Sequence, residues 1–225
     1  MHSVLHAMFD LKRAARVQER LASRLILERD VERITHVAGA DFSYHKERGL
    51  IGAVVVVGRM PEFEITEVVN EILKVRIPYI PGYLNFREGT AFIRAFQKLK
   101  AWPSVTLIDG NGIAHPRKMG LASYVGVILN IPTVGCAKSA FFSYDIPPEA
   151  KGASSIYRNY RKEKVGYCLR TRSSVKPIFV SPGHRVDFEF ARELVLSCSR
   201  YRIPEPLRVA HRLAKELFSG KTFMF

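Results

Sequence analysis

Cysteine is scarce in this 225-residue chain. Cys136, Cys168 and Cys198 are odd in number and far apart, which excludes a disulfide framework and gives no zinc-ligand spacing. A reducing, cytoplasmic setting is the simplest expectation. Long apolar runs are also missing. The most hydrophobic window, residues 121–135, is interrupted by Ser123, Asn130 and Pro132, so no segment reaches the roughly 18 apolar residues of a membrane span. The opening Met1-His2-Ser3-Val4-Leu5-His6 lacks a basic stretch followed by an apolar core, and no signal peptide is expected there. Glutamine and asparagine are few, two and five. Beside abundant Arg, Lys and Glu this leans towards a heat-adapted source. No repeat, low-complexity tract or linker divides the chain, and residues 1–225 read as a single domain.

Acid is short relative to base. Lys and Arg number 35 against 21 Asp and Glu, a net charge of +14. Such an excess favours a polyanionic partner, nucleic acid before an anionic membrane surface. Hydrophobic residues make up 47% of the chain, enough for a packed core.

Periodicity predicts an amphipathic helix over residues 4–30, with Leu5, Met8, Phe9, Leu11, Val17, Leu21 and Leu25 at helical spacing. Strands are predicted over 34–41, 50–57 and 63–75, joined closely enough to be antiparallel neighbours. Residues 76–83 hold two prolines and a glycine and cannot be helical. A helix follows from Asn85, burying Phe86, Phe92, Ile93, Phe96 and Leu99. Next come a strand over 105–108 ending at Asp109, a helix over 121–129 and a strand over 132–136. A long loop is expected over 143–164, then strands over 165–171 and 177–180, then helices over 188–199 and 206–218. Three early strands followed by alternating helix and strand describe a mixed α/β sheet flanked by helices.

Three acids stand at the ends of these elements. Asp41 is expected to end the first strand, Glu88 lies in the first turn of the helix from Asn85, and Asp109 ends the fourth strand before a Gly-Asn-Gly turn. Strand ends are where open α/β sheets place their sites. With the first and fourth strands adjacent, the three carboxylates meet and repel unless a cation neutralises them. Hard oxygen donors suit Mg²⁺ or Mn²⁺, and such ions serve phosphodiester cleavage. Each acid also has a plainer reading. Asp41 and Asp109 can cap turns, and Glu88 can complement a helix dipole.

The motifs Gly39-Ala40-Asp41, Pro78-Tyr79-Ile80-Pro81-Gly82, Phe86-Arg87-Glu88, Asp109-Gly110-Asn111-Gly112 with His115-Pro116-Arg117, and Gly135-Cys136-Ala137-Lys138 together resemble the endonuclease V family. The match runs from about residue 10 to the final helix. The resemblance implies a ribonuclease H-like fold and a Mg²⁺-dependent enzyme, with Mn²⁺ able to substitute. That enzyme recognises deoxyinosine in DNA and nicks the second phosphodiester 3′ to the lesion, leaving 3′-hydroxyl and 5′-phosphate ends during DNA repair. Inosine in RNA is the alternative substrate, and a structure-selective ribonuclease H-like nuclease is a further one. A monomer is expected.

By the same resemblance, Asp41, Glu88 and Asp109 are the metal ligands. Tyr79, held by Pro78, Ile80 and Pro81, is a wedge that separates strands. Gly82, Leu84, Gly110, Gly120 and Leu121 form the pocket for the everted base. Lys138 stands near the scissile phosphate, and His211 is associated with the metal site. His115 reads either as a substrate contact or as a turn residue. The chain departs from the family at Tyr124, where relatives often have histidine, and at Asn111, where some do. The basic, aromatic-laced stretch over 157–164 fits a nucleic-acid backbone or a solvated hairpin. Asp187 fits an N-cap better than an additional site acid.

Overall fold

A computed structural model describes residues 9–219. The expected helical positions Leu5 and Met8 lie outside the described residues. Helix α1 (Leu11–Ala22) starts at Asp10, whose carboxylate accepts the Arg13 amide at 2.9 Å, a cap for an otherwise unpaired N–H. Its buried face differs from the expected one. Leu11 and Val17 are exposed, whereas Ala14 and Gln18 are buried. The helix ends at Ser23, so it lies on the body through one short stripe that holds a small residue and a hydrogen-bonding one.

The strands are β1 (His36–His45), β2 (Leu50–Arg59), β3 (Glu64–Lys74), β4 (Val105–Asp109), β5 (Thr133–Ala137), β6 (Ser154–Arg158), β7 (Lys164–Leu169) and β8 (Ile178–His184). They form one sheet in the order β3-β2-β1-β4-β5-β8-β7-β6. The central β1, β4 and β5 are parallel, and every other pairing is antiparallel. Four further helices flank the sheet: α2 (Leu84–Phe96), α3 (Leu121–Leu129), α4 (Phe188–Ser197) and α5 (Glu205–Glu216). Helices α2 and α3 cover one face with Phe92, Phe96 and Val125 over Ala40, Val55 and Ile108. Helices α4 and α5 cover the other, with Leu194 and Leu213 over Val54, Val105 and Leu107. Among the described residues no helix is long and apolar enough to cross a membrane. The three cysteines are buried and free.

Three expectations are corrected. Asp41 does not end the first strand, because β1 continues to His45 as it pairs with β2 through His45↔Leu50. What stops near Asp41 is the pairing on the other side, whose last register pair is Ala40↔Ile108. The stretch 143–164 is not all loop. It contains β6, an edge strand that sends Tyr157 inward and Ile156 and Arg158 outward. One buried side chain in five residues is too little for a period-two pattern to register. Finally, β8 runs on past Val180, because Ser181, Pro182 and His184 pair with β5.

The approach of α5 to the sheet is set by Gly39. A Cβ there would stand 2.2 Å from the Pro206 backbone, so only glycine admits the start of α5 this close. Asp41 is two residues further on the same face of β1, and His211 is on the same helix as Pro206.

Candidate active site

Strand alternation places Asp41 on the α5 side of the sheet, in line with Gly39. Asp109 follows Val105 and Leu107 on the same side of β4. Glu88 arrives from the second turn of α2 rather than the expected first, because the helix already begins at Leu84. Asp41 and Glu88 are buried, at 7% and 6% exposure. Each acid has its own partner. Asp41 Oδ2 meets His211 Nδ1 at 2.5 Å, and its Oδ1 accepts the Phe42 amide at 2.7 Å. Glu88 Oε1 accepts the Tyr44 hydroxyl at 2.5 Å, and Tyr44 in turn accepts Arg87 Nε–H at 3.2 Å. Asp109 Oδ2 pairs with the Lys138 ammonium.

Burial, reinforced by the charges of Asp41 and Asp109, pushes the Glu88 carboxyl up to about 7 against the lowering effect of the Tyr44 hydrogen bond. Asp109 is raised as well, first by burial and then by Asp41, with Lys138 opposing. Burial and the charge of neighbouring acids thus act together on Glu88 and Asp109. Among the described residues no three His, Cys, Asp or Glu side chains converge closely enough to cage a metal; the acids are turned towards His211, Tyr44 and Lys138. Their chemistry nevertheless fits a hard divalent cation, since all three are oxygen donors and their mutual repulsion is relieved by positive charge.

Beside the acids lies a cavity of about 390 Å³ whose wall includes Tyr79, Ile80, Pro81, Gly82, Leu84, Asn85, Asp109, Gly110, His115, Gly120, Leu121 and Lys138. Nine of the ten expected substrate residues line it; Pro78 does not. Asp109 and Lys138 belong to both regions and join them, while Asp41, Glu88 and His211 stand behind that junction. Tyr79 is 65% exposed at the rim.

The Gly82 carbonyl is the best-anchored point of this wall. Gln18 Nε2, His115 Nε2 and Arg117 Nη2 each reach it at 3.0 Å. Burial holds His115 down at about 4, so the ring is neutral near pH 7. Its Nε2 then donates to Gly82, and its Nδ1 accepts the Arg117 amide at 3.2 Å. Gly82 has φ +79°, a left-handed conformation that favours glycine. Gly120 is different: its φ is −67°, and a Cβ would stand 2.2 Å from the Asn111 carbonyl oxygen. Close backbone packing is what requires glycine at 120.

The sequence reading missed Gln18, Asn85, Tyr44 and Arg117. Gln18 Oε1 accepts Arg117 Nε–H at 2.5 Å, and its Nε2 also donates to Asn85 Oδ1 at 2.7 Å. The available signal was one of only two glutamines, four residues after Ala14 on a helix otherwise crowded with charge. Of the departures, Tyr124 packs on Gly89 and Phe86 between α2 and α3, whereas Asn111 lines the cavity. Asp187 is the N-cap of α4, its carboxylate accepting the Phe190 amide at 2.7 Å.

Sheet order, helices and acids together define a ribonuclease H-like α/β protein, with Asp41 and Asp109 on central strands and Glu88 on the helix beside them. The sequence model of the family described as Endonuclease V matches residues 19–212. Endonuclease V of Dictyoglomus turgidum is 37% identical over 207 residues, covering 92% of this chain and 90% of that protein. Among solved structures, endonuclease V of Streptomyces avermitilis superposes with a TM-score of 0.89 at 37% identity, covering 93% of each chain. Endonuclease V of Ciona intestinalis, in complex with a 24mer DNA containing an inosine followed by a ribo-adenosine, gives 0.82 at 30% identity, covering 93% of this chain and 98% of that one. The chain belongs to the endonuclease V family, a family of nucleases.

Proposed function

We propose that this protein is a divalent-metal-dependent endonuclease that recognises deoxyinosine in DNA and nicks the second phosphodiester 3′ to it, in DNA repair. The observation that carries the reading is the junction at Asp109 and Lys138, where a cavity of about 390 Å³ opens beside buried Asp41 and Glu88. The volume suits an everted purine, and extrusion gives an enzyme access to a base otherwise held in the stack. Tyr79 at the rim fills the gap left in the stack, and its flanking prolines keep it there. Gly82, Gly110, Leu84 and Leu121 supply close backbone and an apolar face to the base.

Asp41, Glu88 and Asp109 would hold Mg²⁺ or Mn²⁺, which when bound supplies positive charge against the scissile phosphate. Lys138 brings its ammonium to the same phosphate and offsets charge developing on it. His211 fixes the orientation of the Asp41 carboxylate. Water is the nucleophile, and the products carry 3′-hydroxyl and 5′-phosphate ends.

The ribo-adenosine after the inosine in the Ciona complex favours inosine-containing RNA as the second reading. End-labelled DNA and RNA oligonucleotides, each with and without one inosine, incubated with Mg²⁺, Mn²⁺ or chelator, test both. Metal-dependent nicking of inosine DNA at the second 3′ bond is expected. Cleavage of RNA alone would transfer the assignment to RNA, and cleavage indifferent to inosine would end it.

A further inference from the structure

A second cavity, of about 260 Å³, opens outside the edge strand β6. Its wall is formed chiefly by Phe142, Tyr144, Ile156, Arg158, Tyr160 and Lys162. Tyr160 is 75% exposed and Tyr144 43%, a large aromatic surface to leave in water. Among the described residues Arg158, Arg161 and Lys162 enter no ion pair, and the neighbouring Glu163 is engaged by Lys118 at 3.3 Å. Cations therefore outweigh the single Asp145 carboxylate in the wall.

The β6–β7 turn that presents these groups is organised in advance. Asn159 Oδ1 accepts the Arg161 and Glu163 amides at 2.9 and 3.0 Å, and its Nδ2 donates to Glu163 Oε2 at 2.8 Å. Arg158 Nη1 donates to the Lys162 carbonyl at 2.9 Å. Tyr160 meets Phe142 edge-on, with ring centroids 4.9 Å apart.

The second cavity lies next to the first. Phe141 lines one and Phe142 the other. The buried Tyr157 hydroxyl accepts both of their amides at 2.6 Å, so one fixed wall separates the two spaces. Rings lead across it from His115 to Phe141, Phe142 and Tyr160 in steps of 5.7, 5.3 and 4.9 Å. The Lys118–Glu163 pair ties the turn to the loop that carries His115.

We propose that this cavity is a second nucleotide subsite, which receives an unpaired base of the substrate strand a few positions from the everted one. Tyr160 stacks on the base, while Arg158 and Lys162 hold the adjoining phosphates. An exposed aromatic among cations is how single-stranded nucleic acid is bound without regard to sequence. The proposal rests on the reading of the first cavity as the base pocket, and it adds a requirement for flanking strand that the base pocket does not impose.

The test is equilibrium binding in chelator of single-stranded DNA with one inosine, extended by successive nucleotides on either side. Wild type is compared with Tyr160→Ala, Tyr160→Phe and the Arg158→Ala/Lys162→Ala pair, with melting curves confirming the fold. Wild-type affinity should step up when the flank on one side reaches the subsite. Tyr160→Ala should remove about fivefold to a hundredfold of affinity on those longer strands alone, and Tyr160→Phe should keep most of it. A fluorescent base analogue in that flank should be quenched by wild type and not by Tyr160→Ala. Equal loss on short and long strands, or no loss, overturns the subsite. If binding ignores inosine, the base-pocket reading fails, yet flank-dependent loss on undamaged strands still upholds the subsite.

Discussion

Gln18 and Arg117, 99 positions apart, share a hydrogen bond of 2.5 Å behind the cavity wall. Because Arg117 can only donate, Gln18 must accept through Oε1, and its amide nitrogen is left to donate to Gly82 and Asn85. Arg117 thus fixes the orientation of the glutamine amide, and the glutamine in turn fixes that of Asn85, whose Oδ1 must accept. Gln18→Leu keeps the volume and removes both functions, leaving Arg117 and Asn85 facing an apolar side chain. A stability loss of about 1–3 kcal/mol is expected. KM for inosine DNA should rise more than kcat falls, since the change acts on the cavity wall away from the acids. Thermal melting beside steady-state kinetics checks it, and a kcat effect with KM unchanged would contradict the positioning role.

The acids separate activity from stability. Asp41→Ala and Asp109→Ala are expected to abolish nicking while the fold survives. Glu88→Gln should also lose activity, yet in metal-free protein at pH 8 it should melt at or above wild type. The Glu88 carboxyl is raised from about 4.5 to about 7, so its contribution is complete below pH 4.5 and is lost as pH rises through 7. Ionised Glu88 then costs the folded state up to roughly 3 kcal/mol, which the neutral amide avoids. Melting curves in chelator at pH 5 and pH 8 measure it.

Tyr79 is 65% exposed at the cavity rim and carries little of the fold. Tyr79→Ala should leave the melting temperature unchanged and should reduce preference for inosine DNA by about 1–3 kcal/mol of lost stacking. Affinity for undamaged duplex should barely move. Equal losses on damaged and undamaged duplexes would make Tyr79 a general contact.

His115 has the opposite pH signature to Glu88. Its folded value is about 4 against an ordinary 6.5, so the unfolded chain binds the proton first. Its contribution is complete above pH 6.5 and is lost as pH falls through 4, up to roughly 3 kcal/mol. The wild-type profile mixes both groups. The difference between wild type and His115→Gln isolates the histidine, and it should shrink steadily from pH 6.5 to pH 4. A pH-independent difference would show that the ring titrates normally.

Much of this was legible in the chain. The run Val105 to Ile108 followed by Gly-Asn-Gly marked β4 and Asp109, and α3 begins and ends where its apolar run does. The antiparallel pairing of the three early strands followed from their short connections, and the mixed α/β class from the later alternation. Motifs that span the chain marked Asp41, Glu88 and Asp109, and nine of the ten residues they led one to expect at the substrate line the cavity. What stayed hidden depended on partners that no local pattern records. Asp41 proved to be internal to β1 because β2 reaches further than β4. The edge strand β6 shows one inward side chain. Gly120 lines the cavity, but what requires glycine there is the Asn111 carbonyl packed against it, which no local pattern shows. Gln18 sits in a polar stretch whose apolar neighbours suggested a different buried face.

The bond between His211 and Asp41 joins positions 170 apart, and Gly39 waits for Pro206 across a similar span. Synthesis from the N-terminus therefore delivers β1, β4 and all three acids well before the helix that orients Asp41. The contact that orients Asp41 thus depends on the last helix of the chain, and the site is complete only once the C-terminal end has docked on the sheet.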